Sequence, residues 1–174
     1  MLLVGSSQSK RPQGYRGPRV SPSINDMVTA VIRAAQQSDL PGLLDLYRHL
    51  HPDDPQPDAV KITEVWSVLM GSGFTKVIVA VDAGLLVSSC TLAIIPNLTR
   101  GGRSYGVIEN VVPHPDHRRT GLGKGVLAAV LEAAWEADCY KVMLATGSRR
   151  EGTLRFYEQA GFERGSKTFF QVRH

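Results

Sequence analysis

The sequence has no apolar run that approaches the roughly 20 residues a membrane helix needs, so we do not expect a membrane protein. The apolar start is cut short by residues 5–8 (Gly-Ser-Ser-Gln), which leaves no secretory h-region and no basic n-region. Cysteine is scarce. Cys90 and Cys139 are far apart and outside any Cys-x-x-Cys pair, which argues against a disulfide framework and favours two reduced thiols. We therefore expect a cytoplasmic protein.

A strong charge of either sign is also missing from most of the chain. The formal net charge is +4, but four basic side chains and one acidic side chain fall in the first 26 residues: Lys10, Arg11, Arg16, Arg19 and Asp26. That stretch carries +3 of the +4, which leaves residues 27–174 close to neutral. A near-neutral body argues against a nucleic-acid-binding face, so nucleic acid is not an expected partner.

Two segments differ in composition. Residues 1–26 are rich in glycine, proline and serine and poor in large apolar side chains, which predicts a flexible tail or a leader. Residues 27–174 have the length and hydrophobic content of one globular domain with its own core.

Hydrophobic periodicity predicts an order of elements for the domain. Helices are expected from Ser38 as N-cap, and over 58–70, 121–137 and 151–160; strands are expected over 28–33, 76–81, 85–95, 104–112, 141–145 and 167–172. Hairpins are thus mixed with a β-α-β crossover. This order indicates the α+β class, with a mixed central sheet flanked by helices on both faces.

Chemistry concentrates in residues 107–124, where a strand leads into a loop and the loop into a helix. Backbone N–H groups at a helix start lack partners and carry partial positive charge. Gly121 and Gly123 let a ligand approach that backbone, and Arg118, Arg119 and Lys124 add cations. This combination is suited to a pyrophosphate, although a plain βα turn with a solvated basic rim has the same composition.

Two motifs narrow the choice. Residues 118–123 (Arg-Arg-Thr-Gly-Leu-Gly) match the Arg/Gln-x-x-Gly-x-Gly signature of the GNAT superfamily of N-acetyltransferases, and residues 156–162 resemble its Tyr-x-x-x-Gly-Phe segment. Neither the Walker nor the Rossmann glycine pattern occurs. The resemblance implies acetyl-CoA as cosubstrate. The cofactor-binding residues it implies are Val111, Val112, Arg118, Arg119, Thr120, Gly121, Leu122, Gly123, Lys124 and Arg150.

The same resemblance implies direct transfer of an acetyl group to a primary amine of a small molecule. Backbone N–H near Val111 or Val112 would polarise the thioester carbonyl. Glu109 is the candidate base, and a structural glutamate is the alternative; its predicted face is shared with Val107 and Val111. Tyr157 is the candidate acid for the leaving thiolate, with a core aromatic as the alternative.

A finer resemblance involves residues 108–112 and 139–142, which are similar to the glucosamine-6-phosphate N-acetyltransferase branch. Asn110 departs from the acidic residue usual there, and Pro113 from a valine whose strand binds the pantetheine arm. Proline has no N–H to donate. Arg150 and Thr153 replace the asparagine and alanine that often begin the last helix, and Arg150 could still reach a phosphate.

Histidines do not indicate a metal site. His114 and His117 are three apart, but no third ligand is near and Pro115 interrupts any helix, so we expect a surface loop. Four residues at and after the end of the first helix could bind an amine substrate: His49, His51, Asp53 and Asp54. Helix-end capping and solvated charge are the alternatives.

Two further functions stay open, a protein or peptide acetyltransferase and a non-catalytic acyl-CoA sensor. A homodimer is the assembly that the family suggests.

Overall fold

The computed structural model describes residues 30–50, 52–55 and 58–174. The N-terminal 26 residues and the first two residues of the first predicted strand lie outside this part. The α-helices and β-strands of the described residues are β1 Val31–Ala34, α1 Leu40–Tyr47, α2 Ala59–Gly71, β2 Thr75–Asp82, β3 Leu85–Ile95, β4 Tyr105–Pro113, α3 Leu122–Glu136, β5 Val142–Leu144 and α4 Glu151–Gln159.

The strands form one sheet in the order β1-β2-β3-β4-β5. The first three pairings are antiparallel, and β4 pairs with β5 in parallel after the crossover through α3. A hairpin of β2 and β3 turns at Ala83 and Gly84, both with positive φ. The mixed sheet confirms the predicted α+β class.

The core has one layer on each face of the sheet. The layer between the sheet and α1 and α2 contains Leu43, Leu46, Trp66, Val77, Val79, Leu86 and Val112. The layer between the sheet and α3 and α4 contains Ile78, Ala80, Cys90, Leu92, Ile108, Val126, Leu127 and Val130. Neighbouring residues such as Ile78 and Val79 enter opposite layers, as the two-residue period of a strand requires. Helices therefore cover both faces, as predicted.

The start of the first helix differs from the prediction. Ser38 is not its N-cap, because a 3-10 turn over Gln37–Asp39 precedes α1 and puts Asp39 at the cap position. The Asp39 carboxylate accepts hydrogen bonds from Gln36 N at 2.7 Å and from the two terminal nitrogens of Arg33 at 2.6 and 2.9 Å. The ion pair between Arg33 and Asp39 connects the helix start to β1, and a neutral serine hydroxyl could not form it.

The predicted strand over residues 167–172 is absent. A strand requires a paired neighbour, and these residues pair with no other described segment. They are exposed, with Phe169, Phe170 and Val172 at 69, 87 and 95% of full exposure. Among the helices in the described part of the chain, none is long and apolar enough to cross a membrane.

Candidate active site at the split between two strands

A β-bulge interrupts β4 in the middle of the sheet. Thr91 on β3 pairs with Glu109 and Ser89 pairs with Val112, so Asn110 and Val111 together face one β3 residue, Cys90. Asn110 takes a positive φ of 52°, which asparagine tolerates better than most residues. The bulge shifts the alternation of side chains by one position.

This shift corrects one expectation about Glu109. Glu109 shares a face with Val107 on the α1 side of the sheet, because both alternate with Ile108, which is buried in the layer under α3 and α4. Val111 instead packs with the core layer under α3 and α4. Glu109 is exposed, and its carboxylate has no hydrogen bond or ion pair with any described residue. The expected apolar surroundings are therefore absent, and the carboxylate is open to a ligand.

The other side of β4 is open beyond the bulge. Parallel pairing with β5 runs from Gly106 to Ile108 and stops there, because β5 ends at Leu144. No described strand pairs with residues 109–113 on that side. Backbone groups along this edge can therefore bind a ligand in the way that a neighbouring strand would.

Alternation of the backbone decides which N–H groups face the open edge. The N–H of His114 bonds to the Val87 carbonyl on β3 at 2.8 Å, so the N–H of Val112, two residues earlier, also points to β3. The backbone nitrogens of Val111 and Pro113 face the open edge instead, and Pro113 has no N–H to donate. Of the two valines predicted to polarise a carbonyl, Val111 is the better placed.

The loop after β4 leads into α3 through left-handed backbone. Arg119 has φ 64° and Gly121, the N-cap of α3, has φ 88°. The first helical hydrogen bond of α3 joins Gly125 N to Gly121 O at 3.0 Å, so the N–H groups of residues 122–124 lack helical acceptors. The first turn of α3 thus presents free donors at the positive end of its dipole.

Side chains of this loop divide into two groups. Arg118, Arg119 and Lys124 are exposed and form no ion pair with a described residue, so their charges are available to an anion. The Thr120 hydroxyl donates to His117 O at 2.7 Å, and Leu122 is buried in the core. A Cβ on Gly123 would meet the Phe156 ring at 3.8 Å, an ordinary contact, whereas Gly121 needs its positive φ.

Tyr157 lies on α4, on the opposite face of the sheet from Glu109. Its ring meets those of Phe156 and Phe162 edge-on, with centroids 5.1 and 6.2 Å apart. Burial, with a smaller contribution from the Cys90 thiol, raises the pKa of Tyr157, so the hydroxyl stays protonated at neutral pH. The hydroxyl has no hydrogen-bond partner among the described residues. Tyr157 packs against the core layer that contains Cys90, and Val111 packs against the same layer.

Arg150 is the exposed N-cap residue of α4, and its side chain makes no capping bond. Its backbone N–H donates to the Ser148 hydroxyl at 3.3 Å, which fixes the start of the helix. Its guanidinium remains available to an anion.

Histidines meet near the end of β4. The rings of His49 and His114 are 4.9 Å apart and those of His114 and His117 are 5.5 Å apart. His117 also approaches Asp82, with Nδ1 and Oδ2 3.8 Å apart. Within the described ranges, no three metal-binding side chains are arranged to hold an ion. His51 lies outside the described residues.

Three polar residues on the α1 face of the sheet were missed by sequence reasoning: Tyr47, Ser89 and Thr91. Tyr47 falls at helical spacing with Leu43 and Leu46, a pattern that indicates core and gives no signal of a polar role.

Comparisons with known proteins show the family of this chain. Residues 40–162 match the acetyltransferase (GNAT) family. A glucosamine 6-phosphate N-acetyltransferase of Trypanosoma brucei brucei is 36% identical over 140 residues, which are 80% of this chain and 92% of that protein. A solved protein of Agrobacterium tumefaciens, described on provisional grounds as an acetyltransferase, is 42% identical. It has a TM-score of 0.78 and covers 83% of this chain and 99% of its own.

A more distant fold neighbour is an aminoglycoside N-acetyltransferase solved in complex with CoA. It is 16% identical, with a TM-score of 0.72, and covers 87% of this chain and 99% of its own. The chain belongs to the GNAT acetyltransferase family. It is an N-acetyltransferase that acts on the amine of a small molecule.

Proposed function

We propose that this enzyme transfers the acetyl group of acetyl-CoA to the amine of glucosamine 6-phosphate. The observation that carries the proposal is the open edge of β4 at the bulge, with Glu109 on one face of the sheet and Tyr157 on the other. The substrate is suggested by the 36% identical trypanosomal relative that carries this name.

The residues present fit coenzyme A. Nothing lies within 4 Å of the place where a Cβ on Gly121 would stand, so the backbone there is open to a ligand. Free N–H groups of residues 122–124 and the exposed cations Arg118, Arg119 and Lys124 suit the pyrophosphate. The edge over residues 109–113 suits the pantetheine arm, and Arg150 faces solvent at the start of α4. Acetyl-CoA would supply the acetyl group as an activated thioester.

The chain supplies a base, a donor and an acid. Glu109 accepts the amine proton on its carboxylate, on the α1 side of the sheet. The Val111 N–H donates to the carbonyl oxygen as negative charge develops there, a contact typically worth about 3 kcal/mol. The Tyr157 hydroxyl gives its proton to the departing sulfur on the α4 side. Acid and base thus act from opposite faces through one gap between strands.

An acceptor panel tests this proposal. Thiol release from acetyl-CoA is followed with glucosamine 6-phosphate, glucosamine and glucose 6-phosphate, which has the phosphate but no amine. Both cysteines are buried and free, and burial raises the pKa of Cys90 to about 12, so the folded protein should add little background to a thiol reagent. We expect release only with the amino sugars, and more with the phosphorylated one. Turnover of other amines without glucosamine 6-phosphate would overturn the substrate.

We infer further that two copies associate. The support is the exposed segment 167–172, with Phe169, Phe170 and Val172 uncovered, together with an outer edge of β5 that pairs with no described strand. A second copy could bury the aromatic side chains by pairing with this segment. Sedimentation should give a dimer for the full chain and a monomer after residues 167–174 are removed. A monomeric full chain at micromolar concentration would refute the dimer.

A cytoplasmic location also remains our proposal, and its support is the pair of free, buried thiols.

A further inference from the structure

The α1 face of the sheet is only partly covered by helices. Val77, Val79 and Val112 are buried beneath α1 and α2. Farther along the same face, Thr91 is half-buried and Glu109 is exposed, and these two residues are register partners on β3 and β4. The helical cover therefore ends beside Glu109, and we refer to the accessible part of this face, at Thr91 and Glu109, as the groove.

Tyr47 stands where that cover ends. It is the last residue of α1, and its ring packs on the buried layer under α1 and α2. Its hydroxyl lies against the side chains of Thr91 and Ser89. The tyrosine thus combines an apolar body in the core with a polar tip over the strand that borders Glu109.

The hydroxyl groups around this tip are not mutually satisfied. The Ser89 side chain is fully buried, and its Oγ has no hydrogen-bond partner of good geometry among the described residues. Buried polar atoms in native proteins are nearly always paired. Burial raises the pKa of Tyr47, and its contacts with Thr91 and Ser89 oppose that rise, so the hydroxyl is a neutral donor at physiological pH. The hydroxyl groups around the Tyr47 tip can therefore form further hydrogen bonds beside the open groove.

We propose that Tyr47 and Thr91 are specificity-determining residues, whose hydroxyls bind a hydroxyl group of the acceptor and hold its amine over Glu109. The acceptor class is an amine with a hydroxyl on a neighbouring carbon, such as an amino sugar. Side chains directly opposite on antiparallel strands have Cβ atoms about 5 Å apart. An amine and a neighbouring hydroxyl can bridge that gap with one hydrogen bond each, the amine to Glu109 and the hydroxyl to Thr91. The inference rests on the proposed acetylation of glucosamine 6-phosphate.

Matched substitutions test the two hydroxyls. Tyr47→Phe and Thr91→Val remove one oxygen each and keep the shape of the side chain. Each should raise the KM for glucosamine 6-phosphate by about tenfold, the usual effect of one lost hydrogen bond. Affinity for coenzyme A and the acid limb of the pH–rate profile should stay unchanged, since neither hydroxyl is the base. Tyr105→Phe is the control, because Tyr105 begins β4 at the far end of the strand and its ring lies near Lys141.

Acceptor analogues identify the contact. Analogues of glucosamine 6-phosphate that lack the hydroxyl on one or the other carbon beside the amine are compared on wild type and Tyr47→Phe. On wild type, one of the two analogues should have a KM about tenfold higher than that of glucosamine 6-phosphate. On Tyr47→Phe the same analogue should have the same KM as glucosamine 6-phosphate, because the variant has already lost the contact. Independent losses for both analogues would overturn the inference, as would an unchanged acceptor KM in both variants. A change in coenzyme affinity parallel to the change in KM would show a structural role and also overturn it.

Direct binding separates this inference from the proposed function. Calorimetry with the coenzyme-A-bound protein measures glucosamine 6-phosphate without catalysis. Binding that weakens in Tyr47→Phe supports the groove even if turnover is absent, in which case the proposed reaction fails alone. Turnover with unaltered binding in both variants rejects the groove and leaves the reaction standing. No binding to wild type rejects both.

Discussion

Replacing Tyr157 by phenylalanine tests directly whether Tyr157 is the general acid that protonates the departing sulfur. The change removes one oxygen that has no hydrogen-bond partner among the described residues, and the edge-on contacts of its ring with Phe156 and Phe162 at 5.1 and 6.2 Å remain possible. Stability should therefore change by no more than about 0.5 kcal/mol. General acid catalysis contributes at least about 10²-fold, so turnover should fall by that factor, equivalent to about 2.7 kcal/mol.

The pH dependence follows from burial. Because burial raises the pKa of Tyr157 above its ordinary value near 10, the wild-type hydroxyl holds its proton throughout pH 7 to 9. The deficit of the variant should then be constant over that range. A deficit that vanished toward high pH would show that another group delivers the proton.

The assay is steady-state thiol release, with coenzyme A affinity and thermal midpoint measured on both proteins. Tyr140→Phe is the matched control, because Tyr140 lies beyond α3 with its ring beside Tyr105 and Lys141. Turnover within twofold of wild type in Tyr157→Phe would refute the acid role. Tyr157 would then be a core aromatic, and water would protonate the sulfur.

Four other changes have defined outcomes. Glu109→Gln should lower turnover and flatten the acid limb of the pH–rate profile, and an unaltered profile would point to another base. Gly121→Ala forces a side chain into φ 88°, so coenzyme A affinity by calorimetry should fall about fivefold or more, whereas unchanged affinity would exclude this backbone from the site. Asp39→Asn should cost about 2 kcal/mol in urea unfolding at pH 7. Hydrogen bonds from Arg33 lower the Asp39 pKa, so its contribution is present above the ordinary value and the deficit should shrink as pH falls below about 4. Removing residues 1–26 should leave turnover and thermal midpoint unchanged, and a loss of most activity would mean that they belong to the site.

Most elements could be predicted from sequence because their patterns are long. The 85–95 run is bounded by turn residues, and the structure has β3 over the same range. The glycine loop and the following amphipathic run predicted α3 to within one residue at each end. These segments depend on local propensity and one buried face, both of which a single sequence contains.

The errors have a different origin. Strict alternation placed Val111 beside Glu109, and the bulge at Asn110 moved it to the other face. The strand expected over residues 167–172 has the right pattern but no partner, and pairing depends on the rest of the molecule. Tyr47 looked like core because its ring is core, and only the fold brings its hydroxyl to Thr91.

Pro113 illustrates how the open edge can be both stable and available. Its nitrogen faces away from β3, so the missing N–H costs the sheet no hydrogen bond, and His114 resumes the pairing with Val87. The missing N–H is instead absent from the open edge, where an exposed row of donors and acceptors would otherwise allow another chain to pair. Proline blocks such pairing and leaves Val111 as the outward N–H between the bulge and the end of β4. A ligand that accepts a hydrogen bond from this stretch of the edge must therefore bring its acceptor to the Val111 N–H. Proline in place of valine at position 113 thus leaves an outward N–H donor at the bulge, where the reaction is proposed to occur.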